Sequence, residues 1–529
     1  MKKLGLKYVV PKDYSKLINP KTGNFEIKNI ISIDSSLLKY REAWTNPKKI
    51  SPKKVPSSII MDPKIISKGI PLLSVVIDND DLYDDATGIF TNYYKKGRNW
   101  ERPCFVSYYE EGKLLFATGA GVRVHGGRSR KKKNKSIKLY FRDIYGFDEF
   151  KRGILFNKGS EPLSHLIVRN DTRGGIHYLS PLCYDISKKI GCITPETHPV
   201  MFYLNGSHHG MEEKIILDGE HHGWGIQFSL TEHLSKEYLI SHYGHDNFIF
   251  IRSKNKKKQI HYEYKEMIRW AKNWDGRMTM EEATKRIDIQ NLSYWWISQL
   301  FLSNNDIYQG LAILDKSKPD SKWFWINWDM DHCIRNSFSQ NIKNIWEQEL
   351  TFYNIVKSRY PKNEPRAILF NRLRNESPQF VKYFNRLTID TLNHKVTHNF
   401  LKSIVDKYKE IAILLGVDNL YYLSRVRLFF KHRPKFMMKL MQKYFNSPKT
   451  YYCQVKGPDD IIYEIDGFIT RSEYKGIYFK NYLIKIKIVN DYREKLLHWI
   501  INGKKIRSPN NILAFPINSE TIIKPVFSN

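Results

Sequence analysis

Residues 292–335, LSYWWISQLFLSNNDIYQGLAILDKSKPDSKWFWINWDMDHCIR, decide how this 529-residue chain is interpreted. The apolar first part predicts a buried helix that ends at the polar break 303–305. Leu311–Asp315 and residues 323–328 then predict two strands, and the polar segment 316–322 between them predicts a turn. The stretch therefore predicts a helix followed by an antiparallel hairpin.

Three aspartates flank this hairpin. Pairing of the strands about the middle of the turn places Asp329 opposite residue 310, and the open end of the hairpin then gathers Asp306, Asp329 and Asp331. Side chains at positions i and i+2 of an extended chain face the same way, so Asp329 and Asp331 can share a cation. Carboxylate oxygens suit Mg²⁺ or Mn²⁺. The alternative is that these are turn aspartates that cap a hairpin.

The motif WINWDMDH, preceded by a hairpin and by SNND, resembles the CotH kinase family, atypical kinases first known from spore coats. The resemblance implies a kinase-like fold in which Asp306 is the catalytic base. It also implies that Asp329 and Asp331, which match the family's WDxD, hold the metal. The family often has an Asn about five residues after the base, at a second metal site, whereas this chain has Gln309, Gly310 and Leu311 there.

The likeness extends toward the amino terminus. IPLLSVVIDNDDLYDDATGIFTN, NWERP, AGVRVHGGRSR and KSIKLYFRDIYG follow the motif order of the amino-terminal half of the family's kinase domain. The resemblance therefore implies a CotH-like kinase domain over residues 70–345. The expected fold class is α+β, with an atypical protein-kinase-like, two-lobed core.

A glycine-rich basic loop, residues 126–135, lies between two predicted strands, 121–125 and 136–141. Paired glycines let main-chain N–H groups approach an anion, and Arg and Lys side chains supply charge. Such a loop can cover nucleotide phosphates, although many charged turns are only solvated surface. The resemblance implies nucleotide contacts from Arg123 or His125 and from Gly126, Gly127, Ser129, Arg130 and Lys135.

Two more positions match the family. Arg169, at the end of a predicted strand, either faces the nucleotide or anchors the predicted helix 178–190. Glu232 matches a family glutamate and is expected to orient a basic residue, as the αC glutamate does in kinases. The repeated turns GSHHG (206–210) and GEHHG (219–223) raise a zinc hypothesis, but structural histidines are favoured because zinc sites show a clearer spacing.

The rest of the chain divides by composition. Residues 1–69 are polar and rich in Lys and Pro, which predicts an arm or linker. Residues 346–448 predict a helical extension of the core, in which Met437, Met438 and Met441 fill the interior rather than line a partner groove. Residues 449–529 predict a small β-rich accessory domain.

Composition limits the function classes. A hydrophobic content of 41% is that of a folded protein, and a net charge of +32 favours anionic partners. Five scattered cysteines without a CxxC pair disfavour a disulfide framework, and Cys333 is expected to be a buried small residue. No signal peptide or membrane span is visible, which predicts a cytoplasmic or coat-associated protein.

The family resemblance implies a kinase that uses ATP with Mg²⁺ or Mn²⁺ to phosphorylate Ser or Thr of an unidentified protein. The alternative is a nucleotide-binding pseudokinase or a coat-type structural protein that holds acidic partners, and transfer of AMP or of an amino acid is also compatible with a kinase-like fold. Nucleic-acid binding is not favoured; it would fall steeply with salt and would not depend on Asp306 or Asp329.

Overall fold

The structure is a computed structural model. It describes the strands β1 (Phe25–Lys28) and β2 (Ser58–Met61), which pair antiparallel, and most of the chain from 71 to 528. The predicted arm 1–69 otherwise lies outside the described residues. Within 71–528 the residues not described are 112, 143–144, 146–152, 157–162, 172–177, 205–206, 209–213, 218–219, 225–226, 253–260, 308, 335–343, 357–363, 415–420, 472 and 509–510.

Runs of β-branched and aromatic residues form the strands of the first half of the chain. They are β3 (Leu72–Val76), β4 (Arg102–Glu110), β5 (Lys113–Val124), β6 (Ile137–Tyr140), β7 (His165–Asn170), β8 (Thr197–Leu204), β9 (Ser207–His208), β10 (Lys214–Leu217), β11 (Glu220–Trp224) and β12 (Phe228–Glu232).

Eight of these strands form one sheet in the order β12-β7-β6-β5-β4-β3-β8-β9. Strand β12 also pairs with β8, so the sheet closes on itself. Alternate residues of its strands, such as Val106, Val122 and Val168, belong to one buried apolar cluster. The strands β10 and β11 pair with each other. The closed sheet holds the ends of β5, β6 and β7 side by side, which positions the basic loop.

The helices follow the predicted periodicity, and the buried helix predicted at 292–302 is confirmed as Ile289–Phe301, capped by Asp288. They are α1 (Asn79–Tyr83), α2 (Gly153–Phe156), α3 (Leu179–Ile190), α4 (Lys236–Tyr243), α5 (Tyr262–Asn273), α6 (Met280–Thr284), α7 (Ile289–Phe301), α8 (Leu350–Val356), α9 (Pro365–Glu376), α10 (Pro378–Asp390), α11 (His398–Leu414) and α12 (Tyr421–Phe445). Met437, Met438 and Met441 are fully buried, as predicted.

The hairpin predicted after α7 is confirmed. Strands β13 (Phe248–Arg252), β14 (Leu311–Asp315) and β15 (Phe324–Ile326) form a three-stranded antiparallel sheet. Leu311 pairs with Ile326, so the register is shifted by two residues from the predicted one. The Asp315 side chain accepts hydrogen bonds from the Ser317 N–H and hydroxyl, which starts the turn earlier than predicted. A shift of two residues keeps every side chain on its predicted face.

The carboxy-terminal residues are β-rich. The elements are β16 (Thr450–Val455), β17 (Ile462–Ile465), β18 (Phe468–Arg471), β19 (Tyr474–Phe479), β20 (Tyr482–Ile488), α13 (Tyr492–Lys495), β21 (Leu496–Ile501), β22 (Lys504–Ile506), β23 (Ile512–Ile517) and β24 (Thr521–Phe527). The strands form two sheets, in the orders β19-β16-β24-β21-β22 and β18-β17-β20-β23. The Asn393 side chain, from the helical part, bonds the N–H and carbonyl of Ile477 in β19. The whole is an α+β fold. Within the described residues, no helix combines the length and apolarity needed to cross a membrane.

Candidate active site

A cavity of about 1020 Å³ lies between the closed sheet and the end of the β14–β15 hairpin. The sheet contributes the basic loop and the ends of β5, β6 and β7. The hairpin side contributes Asp306, Asp329 and Asp331. The volume is at the upper end of the range of about 300–1,000 Å³ that is usual for small-molecule pockets. The basic loop and the three aspartates, which come from separate segments of the sequence, therefore line the same cavity.

Asp329 leaves the hairpin in a left-handed conformation, with φ 60° and ψ 56°, and a single 3₁₀ turn, Met330–His332, follows. Its main-chain N–H donates to the Tyr184 hydroxyl at 2.9 Å. Aspartate tolerates this conformation better than most residues. The expectation that Asp329 and Asp331 share one face of an extended chain is therefore wrong.

Arg169 nevertheless brings these two acids together. Its Nη2 lies 2.5 Å from Asp329 Oδ1 and 3.6 Å from Asp331 Oδ2. Its Nε lies 3.2 Å from Asp171 Oδ1. Burial lowers the pKa of Arg169, but the three carboxylates raise it well above its ordinary value. Of the two alternatives for Arg169, the structure places its guanidinium in the cavity against both acids.

Asp306 follows α7 at the polar break and faces the cavity. Its main-chain N–H donates to Asn304 Oδ1 at 3.0 Å, and its Oδ2 accepts a hydrogen bond from Gln309 Nε2 at 2.9 Å. Gly310 next to it has φ 113°, and a Cβ there would lie 2.5 Å from the Ile326 carbonyl oxygen. Gln309 therefore occupies the region of the family's Asn and holds the predicted base.

A chain of three buried amides joins the two aspartate segments, and the sequence reading missed it. Asn304 Nδ2 donates to Gln299 Oε1 at 2.7 Å, and Gln299 Nε2 donates to Asn327 Oδ1 at 3.2 Å. Asn304 precedes Asp306 and Asn327 precedes Asp329, so these bonds fix the distance between the two segments. The signal in the sequence was Gln299, a polar residue near the end of the largely apolar helix α7.

A divalent metal ion is implied by the family resemblance. Among the described His, Cys, Asp and Glu side chains, no three form a group that can hold a metal ion. Asp306, Asp329 and Asp331 line one cavity, and the role of Asp329 and Asp331 as metal ligands stays a prediction. Mg²⁺ in phosphoryl-transfer sites commonly binds one or two carboxylates together with substrate phosphates. Asp329 and Asp331, gathered at one guanidinium, are a donor set that fits this chemistry.

The basic loop is fixed by two of the residues predicted to bind nucleotide. Arg130 donates to three main-chain carbonyls, those of Tyr93 (2.5 Å), Lys95 (2.6 Å) and Val124. Lys135 donates to the Lys132 carbonyl at 2.7 Å and lies 5.1 Å from the Tyr93 ring centroid. Both side chains are buried. Their described contacts hold the loop to the chain itself, and their role as nucleotide ligands stays a prediction.

Arg123, Gly126, Gly127 and Ser129 line the cavity, as the sequence predicted for nucleotide-binding residues. Gly126 has φ 110°, and a Cβ there would meet Ser129 Oγ at 2.3 Å, whereas a Cβ at Gly127 meets nothing within 4 Å. Gly126 is therefore the position where the loop requires glycine.

Glu101 is a buried glutamate that orients a basic residue in the cavity. It pairs with Arg123 and accepts hydrogen bonds from Arg142 Nε and the Tyr145 hydroxyl, both at 3.1 Å. Glu232 accepts a hydrogen bond from the Glu196 N–H at 3.0 Å and lies 3.7 Å from His242 Nε2, but it is not among the described residues that line the cavity. The role of Glu232 in the site stays a prediction, and Glu101, from the block NWERP, is a glutamate that the sequence did not single out.

The cavity is strongly basic. Lys138, His233 and Arg252 line it although the sequence reading did not select them. Ten Lys and Arg side chains face three aspartates there: Lys95, Lys96, Arg123, Arg128, Arg130, Lys131, Lys132, Lys138, Arg169 and Arg252.

Two minor predictions have different outcomes. Cys333 is fully buried and burial raises the pKa of its thiol well above the ordinary value, which supports a packing role. The side chains of His208, His209, His221 and His222 lie outside the described residues, so the zinc hypothesis stays untested.

A family model described as CotH kinase protein matches residues 122–414, more than half of the chain. The chain therefore belongs to the CotH kinase family. The match begins after the blocks IPLLSVV and NWERP and continues into the helices beyond residue 345. A comparison with curated protein sequences gave no match.

Solved structures of kinases are also similar to this chain. The Golgi casein kinase is 9% identical over 62% of this chain and 71% of that one, with a TM-score of 0.25. A second structure of the Golgi casein kinase, with Mn/ADP bound, is 9% identical over 82% of each chain, with a TM-score of 0.26. The Helicobacter pylori proinflammatory kinase CtkA is 9% identical over 61% and 94%, with a TM-score of 0.27. These TM-scores are low, so the family assignment stands on the sequence match alone.

Proposed function

We propose that this protein is a kinase that transfers the γ-phosphoryl group of ATP, with Mg²⁺ or Mn²⁺, to a Ser or Thr hydroxyl of a protein. The observation that supports this most is the single cavity in which a glycine-containing basic loop faces Asp306, Asp329 and Asp331. Membership of a kinase family points the same way. In this proposal the closed sheet and the helical part are the two lobes of the kinase.

Each residue has a role that its contacts support. Asp306, held by Gln309 and Asn304, accepts the proton of the acceptor hydroxyl. Asp329 and Asp331 hold the metal ion, which supplies charge neutralisation at the phosphates when it is bound. The loop around Gly126 contacts the phosphates, and Arg123, fixed by Glu101, lies beside it.

Arg169 favours a second candidate function. Because it already forms ion pairs with Asp329 and Asp331, the chain neutralises its own metal-binding pair. The absence of the family's Asn beside Gln309 adds to this. A pseudokinase that binds nucleotide without transfer therefore remains the alternative proposal.

We further propose the domain limits 70–345 for the kinase domain, 346–448 for its helical extension and 449–529 for the accessory β domain. The accessory domain contacts the extension at Asn393, far along the chain from the aspartates, which suits docking or stability rather than catalysis.

The test uses γ-labelled ATP with Mg²⁺ or Mn²⁺, the full-length protein, and a Ser-rich protein acceptor. Asp306→Asn and Asp329→Asn are expected to lower transfer at least 100-fold, since each removes a charge but keeps the shape. Asparagine also tolerates the left-handed backbone at position 329. Asp320→Asn, on the exposed hairpin turn, is the matched control and should transfer at the wild-type rate. Metal-dependent ADP binding without any transfer would establish the pseudokinase instead.

A further inference from the structure

One corner of the cavity contains two cationic side chains that share a single imidazole. Lys138 Nζ lies 3.1 Å from His233 Nδ1, and Arg252 Nη2 lies 3.2 Å from His233 Nε2. Arg252 also donates to the Leu234 carbonyl. All three side chains line the cavity. We call Lys138, His233 and Arg252 the cationic corner.

Each of the other buried cations of the cavity is held by carboxylates or by several main-chain carbonyls, whereas the cationic corner has a single carbonyl, that of Leu234. Arg123 is paired with Glu101, Arg169 with three aspartates, and Arg130 with three carbonyls. Within the described part of the chain, no Asp or Glu oxygen lies within ion-pair distance of Lys138 or Arg252. Two cations held together in a buried place are costly unless an anion joins them.

The neighbouring positive charges shift the pKa values of Lys138 and His233. Burial, together with Arg252 and other cations, lowers the pKa of Lys138 to about 7. Burial and the same cations lower the pKa of His233 well below its ordinary value, so this imidazole is neutral at pH 7 and offers one nitrogen as an acceptor. The Glu237 carboxylate offsets the lowering of the Lys138 pKa in part, and the Lys138 ammonium lies 4.8 Å from the Tyr140 ring centroid. The corner therefore presents positive donors that the chain itself compensates only in part.

The charge of the cavity exceeds what one nucleotide balances. Ten Lys and Arg side chains face three aspartates, and a triphosphate that carries its own divalent metal ion offsets only part of the excess. The basic loop and Arg123 already supply donors for those phosphates. Lys138 is the second residue of β6 and lies near the loop, but His233 follows β12 and Arg252 ends β13, so two of the three side chains of the cationic corner come from segments other than the loop and its flanking strands.

We infer that the cationic corner binds a second oxyanion of the phosphate type, separate from the phosphates of the nucleotide. Under the proposed function, on which this reading of its purpose rests, the oxyanion belongs to the acceptor, so the acceptor carries a phosphate or a similar anion near the hydroxyl that is modified. The binding site itself does not depend on transfer.

The experiment measures binding of inorganic phosphate to the full-length protein by calorimetry, with and without saturating ADP and Mg²⁺. Phosphate should bind in both conditions. Lys138→Gln and Arg252→Gln should each weaken this binding at least tenfold. The matched control is Lys96→Gln, which removes the same charge from an exposed position that lines the same cavity outside the basic loop, and it should change the affinity less than twofold.

Three other outcomes overturn the inference. Loss of phosphate binding when ADP is added would assign the corner to the nucleotide. An equal effect of Lys96→Gln would show a general attraction to the basic cavity, and absence of phosphate binding would show that no such site exists. Failure of ADP to bind would contradict the proposed kinase function while leaving phosphate binding measurable. Thermal unfolding of each variant without phosphate checks that it is folded.

Discussion

Arg433 and Lys138 are both buried cations, but the chain surrounds them in opposite ways. Lys138 in the cationic corner is surrounded mainly by other cations and one neutral histidine, and the Glu237 carboxylate offsets their effect only in part. Arg433 in α12 is fully buried, and its guanidinium donates to four main-chain carbonyls, those of Leu300, Phe301, Trp346 and Gln348. A compensated buried cation stabilises the fold, whereas an uncompensated one reduces stability and is retained where a ligand binds.

Replacing Arg433 should have the largest effect on stability. Arg433→Met leaves four buried carbonyls, two of them at the end of α7, without their donor, so we expect the free energy of unfolding to fall by about 3 kcal/mol or more. Chemical denaturation checks this. Lys435→Met, an exposed position two residues away, should change stability by less than about 0.5 kcal/mol.

Because α7 leads directly to Asp306, Arg433→Met should also lower ADP binding at temperatures where the protein is still folded. Arg433→Lys keeps the charge but cannot reach four carbonyls, so it should destabilise nearly as much. Full stability of Arg433→Lys would show that charge alone, not the array of hydrogen bonds, is what the core needs.

Replacing Lys138 should change the free energy of unfolding in the opposite direction. Lys138→Met is expected to raise the free energy of unfolding by about 1–2 kcal/mol at pH 7 in the absence of anions, because it relieves burial of a crowded charge. A fall of that size would mean that Lys138 is compensated within the chain and would remove the contrast with Arg433.

The pH dependence of this gain has a defined direction. The pKa of Lys138 is about 7 in the folded chain and about 10.4 in an unfolded one, so the charge penalty is complete at or below pH 7 and disappears as the pH rises toward 10. The gain from Lys138→Met should shrink over the same interval, as unfolding measurements at several pH values would show. The charged and titratable groups around Lys138 are Arg123, Tyr140, Arg142, His165, His233, Glu237 and Arg252.

Local patterns in the sequence predicted much of the fold. Apolar periodicity located α7, and the polar turn after Asp315 located the hairpin, with an error of two residues in register because the Asp315 side chain starts the turn early. The motif order identified Asp306, Asp329 and Asp331, which the structure places around one cavity. Each of these features is determined by a short segment of the chain, so it could be predicted from the sequence.

Partners distant in sequence could not be predicted in the same way. Arg169 and Asp329 are separated by 160 residues, and Lys138 and His233 by 95. The sequence shows that Arg130 and Lys135 are charged but not that their side chains turn back to main-chain carbonyls. It also does not single out Glu101, since only the closed sheet brings this glutamate to Arg123.

The two loop glycines provide a smaller test on the loop side of the cavity. Gly126→Ala places a Cβ at φ 110° and against Ser129 Oγ, so we expect a cost of about 1–2 kcal/mol and roughly tenfold weaker ADP binding. Gly127→Ala meets no atom within 4 Å and is the control. Equal affinities in both variants would show that the loop does not contact the nucleotide. Phosphate binding at the cationic corner should be unchanged in both.

The smallest effect is expected at Gln309, the hydrogen-bond donor to Asp306. Gln309→Ala removes one bond to the carboxylate, worth about 1 kcal/mol, so the rate of transfer should fall about fivefold. ADP affinity should stay unchanged, because Gln309 positions Asp306 rather than the nucleotide. An equal loss in ADP affinity would mean that Gln309 acts on the nucleotide side, as the family's Asn would at a second metal site. Gln309→Asn separates the two roles, since asparagine can serve a metal but is one methylene too short to reach Asp306 in its present position.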